Sequence, residues 1–200
     1  MNHSFIHLIA LFALIFYVPL PPLIIAIHKT LPGWKRLGTK SYPIFLCGFF
    51  ISYLILFGVV FSYQDSILSW RWYESAWALL GFIPLIGGIV LGIITVRTLS
   101  LKVLFGLPEI DSAHYSSELV TRGIYQYIRH PRYLEFILEV LGIAILSGLV
   151  WNFILFAYIV LGVWLMAVVE EGELVWRFGQ PYVEYKKKTG RFWPRILSRP

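Results

Sequence analysis

A chain of 200 residues that is 58% hydrophobic, 18% aromatic and only 14% charged carries more apolar surface than a water-soluble domain of this size can bury, so a lipid bilayer is its natural solvent. The net charge of +6 does not point to nucleic acid, because the basic residues lie between apolar runs, where anionic headgroups attract them. Cys47 is the single cysteine, which excludes an internal disulfide or a cysteine metal site, and His3, His7, His28 and His114 are scattered without the spacing of metal ligands.

In chain order, the first apolar run covers roughly His7 to Ile27. It is too long for a signal h-region, has no Lys or Arg before it and lacks a small-residue cleavage site, so the expectation is a retained membrane helix, bent or ended by Pro19, Pro21 and Pro22. A basic loop with Lys29, Lys35, Arg36 and Lys40 follows. The second run spans about Pro43 to Tyr63 and the third about Ser75 to Val96. The longest polar stretch, Arg97 to Arg132, comes next. Two last runs, about Tyr133 to Leu146 and Trp151 to Val169, are joined only by Ser147-Gly148, which permits a tight antiparallel hairpin. Sixteen of the seventeen Lys and Arg residues fall on one side of these runs, Arg71 being the exception. The positive-inside rule makes that side cytoplasmic. The expected fold is therefore an all-α integral membrane protein of five transmembrane helices, one membrane domain over residues 1–200. Residues 1–96 hold three helices, and 97–200 form a catalytic region ending in a helix hairpin and a cytoplasmic tail. The N-terminus lies outside and the C-terminus inside, in the inner membrane if the cell is bacterial.

Two polar clusters interrupt this pattern. The first is Arg129-His130-Pro131-Arg132-Tyr133, at the start of the fourth run, and the second is Glu170-Glu171-Gly172-Glu173, at the end of the fifth. A plain membrane edge accounts for the first, with arginines reaching headgroups, proline in a first helical turn and tyrosine in the aromatic belt. It copes badly with the second, because adjacent carboxylates repel each other and an anionic leaflet, and so require cationic partners. Helix geometry supplies them: about 21 Å up from Tyr133 and about 27 Å down to Glu170, at 1.5 Å per residue, return the acids to nearly the level of Arg129, His130 and Arg132. Glu173 and Arg177 make a favourable i,i+4 pair on a helix stopped by Gly179.

The run LVTRGIYQYIRHPRY, the EE pair one hairpin later and the tail FGQPYVEYKKKTGRFWP resemble the isoprenylcysteine carboxyl methyltransferase family, with the phospholipid N-methyltransferases similar at the same positions. The resemblance covers about Glu118 to Pro194. It implies an integral membrane enzyme that uses S-adenosylmethionine. By that resemblance the backbone at Leu119 and Val120 cradles adenine, while Tyr125, His130, Tyr133, Glu170 and Glu171 line the cofactor pocket, with Arg129, His130 and Glu171 as the catalytic group. Carboxylates suit the cofactor's hydroxyls and ammonium, and Arg129 suits its carboxylate. The partners implied are a hydrophobic or lipid-like methyl acceptor and membrane lipids, with neither metal nor nucleic acid. No G-x-G-x-x-G follows a strand, which excludes a soluble Rossmann methyltransferase.

The chain departs from that pattern at Glu135, where the family commonly has a small residue, and Glu139 follows one turn later. Carboxylates in a membrane helix are costly and face the protein interior. Either they pair with Arg129, Arg132 or a neighbouring helix, or they line the acceptor pocket and favour an amine over a carboxylate acceptor. The stretch after the third run also lacks the family's glycine-tryptophan motif, and Arg97 to Ser117 is expected either to cover the site as a lid or to form an ordinary interfacial loop. Two other functions compete: a membrane reductase of the sterol-reductase kind using NADPH, which shares the RHP-x-Y start, and a non-catalytic membrane protein whose charges only anchor it.

Overall fold

The computed structural model describes residues 3–37, 40–73, 76–99 and 118–195. Residues 100–117, most of the expected lid, lie outside the described residues. Among the described residues the regular structure is helical, with only two isolated bridges between extended segments. Four helical stretches are long and apolar enough to cross a membrane: Phe5–Trp34, Pro43–Ser62, Trp77–Thr98 and Val150–Phe178.

The first of these is two helices, α1 (His3–Tyr17) and α2 (Leu20–Leu37), broken at Val18-Pro19. Prolines at 19, 21 and 22 remove N–H donors and leave carbonyls at the end of α1 without helical partners. Other helices supply donors: the Tyr53 hydroxyl donates to the Phe16 carbonyl at 2.8 Å and the Tyr158 hydroxyl to the Val18 carbonyl at 2.8 Å. The expected basic loop is corrected here. Helix α2 runs on through Lys29 and Arg36 to Leu37, since Lys and Arg are good helix formers that reach water from a helical end.

Helix α3 (Ser41–Ser62) and the short α4 (Gln64–Ser69) follow. A 3-10 turn (Ala76–Gly81) then leads into α5 (Phe82–Thr98). Phe50, Leu54, Ile55 and Phe61 of α3 are exposed, as expected of a helix facing lipid tails.

The hairpin is as read from the sequence, with a different second arm. Helix α6 (Pro131–Ser147) has proline in its first turn and ends at Gly148, whose φ of 65° is the left-handed conformation that glycine adopts freely. Helix α7 (Val150–Phe178) has 29 residues. It does not stop at Val169, so the glutamate pair lies two turns inside it, and Gly179 ends it at φ 61°. Residues 70–72 clamp the hairpin turn: Trp72 N–H donates to the Gly148 carbonyl at 2.9 Å and Val150 N–H to the Trp70 carbonyl at 3.1 Å. Helix α6 has only 17 residues and is not among the four spans. It is the central element, with Tyr133, Phe136, Val140 and Ile143 packed against Ala13 and Tyr17 of α1 and Ile159, Val163 and Met166 of α7.

Glycines allow α5 and α6 to approach closely. A Cβ on Gly142 of α6 would lie 2.6 Å from Leu85 Cβ and 2.7 Å from Leu85 N, and one on Gly88 of α5 would lie 2.6 Å from Glu139 Cγ. Tight backbone contact of this kind is how membrane helices gain packing energy when lipid offers no hydrophobic advantage. A last helix, α8 (Gln180–Lys188), packs against α7 and is followed by an irregular tail of bends with an isolated bridge at Gly190.

Candidate functional site

The site is built from three pieces of chain that the hairpin brings together. Gly123, at φ 60°, turns the chain into a 3-10 segment (Gly123–Gln126), after which residues 127–130 form an irregular link with an isolated bridge at Ile128. The tail after α8 lies beside them as a short parallel pairing. Arg129 N–H donates to the Gly190 carbonyl at 2.8 Å, His130 N–H to that of Arg191 at 3.0 Å, and Gly190 N–H to that of Tyr127 at 3.2 Å. Pro131 keeps His130 out of helical geometry and starts α6 immediately after it. The glutamates of α7 complete the enclosure.

Glu171 is 2% exposed and holds these pieces together. Its Oε1 accepts from Arg129 Nε at 3.0 Å, Arg129 Nη2 at 2.9 Å and Arg191 Nε at 3.0 Å. Its Oε2 accepts from Arg191 Nη2 at 2.9 Å and lies 2.9 Å from Lys186 Nζ. The remaining guanidinium nitrogen of Arg129 donates to the carbonyls of Thr189 and Lys186. Glu170 has lighter company: its Oε2 accepts from the Tyr133 hydroxyl at 2.5 Å and lies 3.4 Å from His130 Nδ1.

His130 is 4% exposed, stacked on Tyr133 with centroids 5.2 Å apart and planes 4° from parallel, with Phe192 on another side at 6.1 Å. Its Nε2 lies 3.4 Å from Glu171 Oε1. Burial disfavours the imidazolium, but the charges of Glu170 and Glu171 outweigh it, and the pKa is raised above its ordinary value of 6.5. A raised folded-state value means that the contribution of His130 to stability is fully present below the ordinary histidine value and is lost as pH rises through the raised one. Thermal unfolding of the detergent-purified protein should therefore show a midpoint that falls between pH 6 and 8.5 in the wild type and changes less in His130→Asn. Parallel pH curves would contradict this.

The structure thus brings Arg129, His130, Tyr133, Glu170 and Glu171 together. Arg132 does not join them. It sits in the first turn of α6 and pairs with Glu135 one turn on, at 2.9 and 3.1 Å, with its guanidinium 5.2 Å over the Phe136 ring. Tyr125 is half-buried beside the cluster. Its carbonyl accepts from the Tyr185 hydroxyl at 2.6 Å, and burial together with the charge of Glu170 pushes its phenol up. Leu119 and Val120 are half-buried in the extended approach to Gly123 and make no polar contact among the described residues. The Glu173–Arg177 pair forms at 3.2 Å.

Four participants escape a reading of the sequence. Arg191 and Lys186 come from a tail that reads as mixed charge. Tyr182 of α8 is 1% exposed, with a hydroxyl that has no hydrogen-bond partner among the described residues, and burial plus the charges of Glu171 and Glu170 raise its pKa. His28 of α2 has a buried Nδ1 with no partner among the described residues and lies near Glu170. Its only sequence signal is that α2 continues beyond its prolines. Orphaned polar atoms beside a partly open carboxylate suit a polar ligand.

Glu135 and Glu139 lie elsewhere. They line a cleft of about 420 Å³, with Ile89, Ile93, Val96 and Arg97 of α5 on one wall and Arg132, Glu135 and Glu139 of α6 on the other. The Tyr17 hydroxyl of α1 donates to Glu139. Gly92 leaves room for the Glu135 carboxylate, whose Oε1 would lie 2.6 Å from a Cβ there. Both acids therefore have the pairing anticipated for them and also face a cavity. Among the described residues no three His, Cys, Asp or Glu side chains converge as metal ligands would.

Fold and site together define a helical integral membrane protein with a buried acid–base cluster at one end of its hairpin. A family model described as phospholipid methyltransferase matches residues 76–180, and the chain belongs to that family. It is also 39% identical over 72 residues to protein-S-isoprenylcysteine O-methyltransferase of Schizosaccharomyces pombe, a match that spans 36% of this chain and 30% of that relative.

Proposed function

We propose that the protein is a membrane methyltransferase that uses S-adenosylmethionine and transfers its methyl group to a lipid-like or other hydrophobic acceptor. The observation that carries this reading is the enclosed cluster of Glu170, Tyr133 and His130 beside the Tyr182 hydroxyl and His28 Nδ1, both unpartnered among the described residues, in a chain of the phospholipid methyltransferase family. S-adenosylmethionine, when bound, supplies a methyl group already activated on a sulfonium. What remains for the protein is to bind, to orient and to exclude water. Glu170 and Tyr133 offer an acceptor and a hydroxyl to ligand ammonium and hydroxyl groups, Tyr125 borders them, and the backbone at Leu119 and Val120 is available to an adenine edge. The short helix α6 is taken as the fifth crossing, within one membrane domain, with the N-terminus outside and the cluster at the cytoplasmic face.

The acceptor site is assigned to the cleft between α5 and α6, one helical turn from Tyr133. Apolar contacts with Ile89 and Ile93 hold a chain, while Glu135 and Glu139 bias the reacting head towards an amine. Because Arg132 and Tyr17 already compensate those acids, the bias is modest.

Calorimetric titration of the detergent-purified protein with S-adenosylhomocysteine is expected to give micromolar binding, weakened at least tenfold in His130→Ala. A folded wild type that ignores this ligand and binds a dinucleotide would replace the methyltransferase reading with the reductase one. In the same preparation, Glu135→Gln with Glu139→Gln should shift the ratio of amine to carboxylate methylation several-fold towards the carboxylate. An unchanged ratio removes these residues from acceptor choice.

A further inference from the structure

The adjacent glutamates of α7 do not share one job, and we infer that Glu171 is the structural tie of the site while Glu170 is its ligand-facing carboxylate, with His28 of α2 as a second polar group on the ligand side. This rests on the cofactor reading above and divides it between residues.

The coordination of each carboxylate makes the division. An ionised carboxylate has about four lone-pair positions. Glu171 receives two nitrogens of Arg129, two of Arg191 and the ammonium of Lys186, all between 2.9 and 3.0 Å. It is 2% exposed and has no capacity left for a ligand. These partners belong to the segment before α6, to α8 and to the tail, so Glu171 joins three parts of the chain to α7. Glu170 has both its contacts on Oε2, and its Oε1 has no polar partner among the described residues. Its side chain is 25% exposed. Neighbouring residues on a helix point about 100° apart, which turns one carboxylate into the knot and the other towards open space.

His28 enters because α2 packs along α7, where Gly162 leaves room for Pro21. Its buried Nδ1 has no partner among the described residues, although a buried ring nitrogen normally has one. It lies about two helical turns beyond Pro21, as Glu170 lies about two turns beyond Gly162, and near Glu170. A ligand with an N–H or O–H donor for Glu170 and a further polar group for His28 satisfies both residues at once. The hydroxyls and ammonium of an S-adenosyl compound have that chemistry.

The test uses the full-length protein in detergent, with thermal unfolding measured without ligand and calorimetry with S-adenosylhomocysteine. Glu171→Gln should lower the unfolding midpoint by about 5 °C or more, because three cations lose their common anion. Failure of this variant to fold has the same meaning. Glu170→Gln should keep its midpoint within about 2 °C of the wild type yet bind at least tenfold more weakly. His28→Asn should lower affinity at least threefold with its midpoint unchanged. Equal midpoint losses in the two glutamate variants, or wild-type affinity in Glu170→Gln, overturn the division, and wild-type affinity in His28→Asn overturns the role of His28. A wild type that does not bind S-adenosylhomocysteine defeats the cofactor reading instead, a result separate from any of these.

Discussion

Replacing Arg129 with alanine should destabilise the protein by roughly 3 kcal/mol or more, within the range expected when one partner of a buried ion pair is removed. Arg129 donates through Nε and Nη2 to Glu171 and through Nη1 to the carbonyls of Thr189 and Lys186. Alanine leaves two carbonyls without that donor and takes from Glu171 its guanidinium partner on the segment before α6, where the His130 ring remains at 3.4 Å. Arg191 and Lys186 still hold the carboxylate, so the loss falls towards the lower end of that range. Arg129→Lys should recover only part of it, because an ammonium cannot span the carboxylate and the tail carbonyls in the planar geometry of a guanidinium. Thermal unfolding of both variants in one detergent provides the measurement. A shift below about 1 kcal/mol in Arg129→Ala, the size of an exposed pair, would mean that Arg191 and Lys186 alone suffice. The expected result would place Arg129 in the frame that supports the site, because all three of its guanidinium nitrogens bond to protein.

That reassignment illustrates what the sequence can show. Hydropathy located four stretches long and apolar enough to cross a membrane, not the five expected, because lipid tolerates little else over such lengths, and the short Ser147-Gly148 link fixed the hairpin. Hydropathy also misplaced the end of α7, since Glu, Arg and Leu propagate a helix as well as apolar residues do, and Gly179 marks the true stop. The need of Glu170 and Glu171 for cations was legible from charge alone. The identity of those cations was not, because Arg191 and Lys186 reach Glu171 only when α8 packs against α7. Arg132 was legible in principle: an arginine three residues before a glutamate on one helix is a local pair. Helix spacing placed it on α6, while Arg129, only three residues earlier, lies in the irregular link before that helix and serves another helix. His28 carried no local signal at all, since its relation to Glu170 depends on how α2 leans on α7.

Gly142→Ala should be a damaging single-methyl change in the membrane core, at about 1–3 kcal/mol for overpacking. The added Cβ would stand 2.6 Å from Leu85 Cβ, 2.7 Å from Leu85 N and 2.8 Å from the Gly81 carbonyl oxygen. Two of those three atoms are backbone, so no rotamer change relieves the clash and α5 must move away from α6. Removing the Leu85 side chain in a double variant should therefore rescue only partly. Gly58→Ala on α3, where a Cβ meets nothing within 4 Å, is the matched control. It should be neutral or slightly stabilising, because alanine favours a helix over glycine. Function should separate along the same line. The acid–base cluster is tied to α6, α7, α8 and the tail, so S-adenosylhomocysteine affinity should change little in Gly142→Ala. The cleft has α5 as one wall and Glu135 and Glu139 of α6 as the other, so methyl transfer to the acceptor should fall. Equal losses in both measurements would mean that the two sites are not mechanically separate, and unchanged transfer would place the acceptor somewhere other than between α5 and α6.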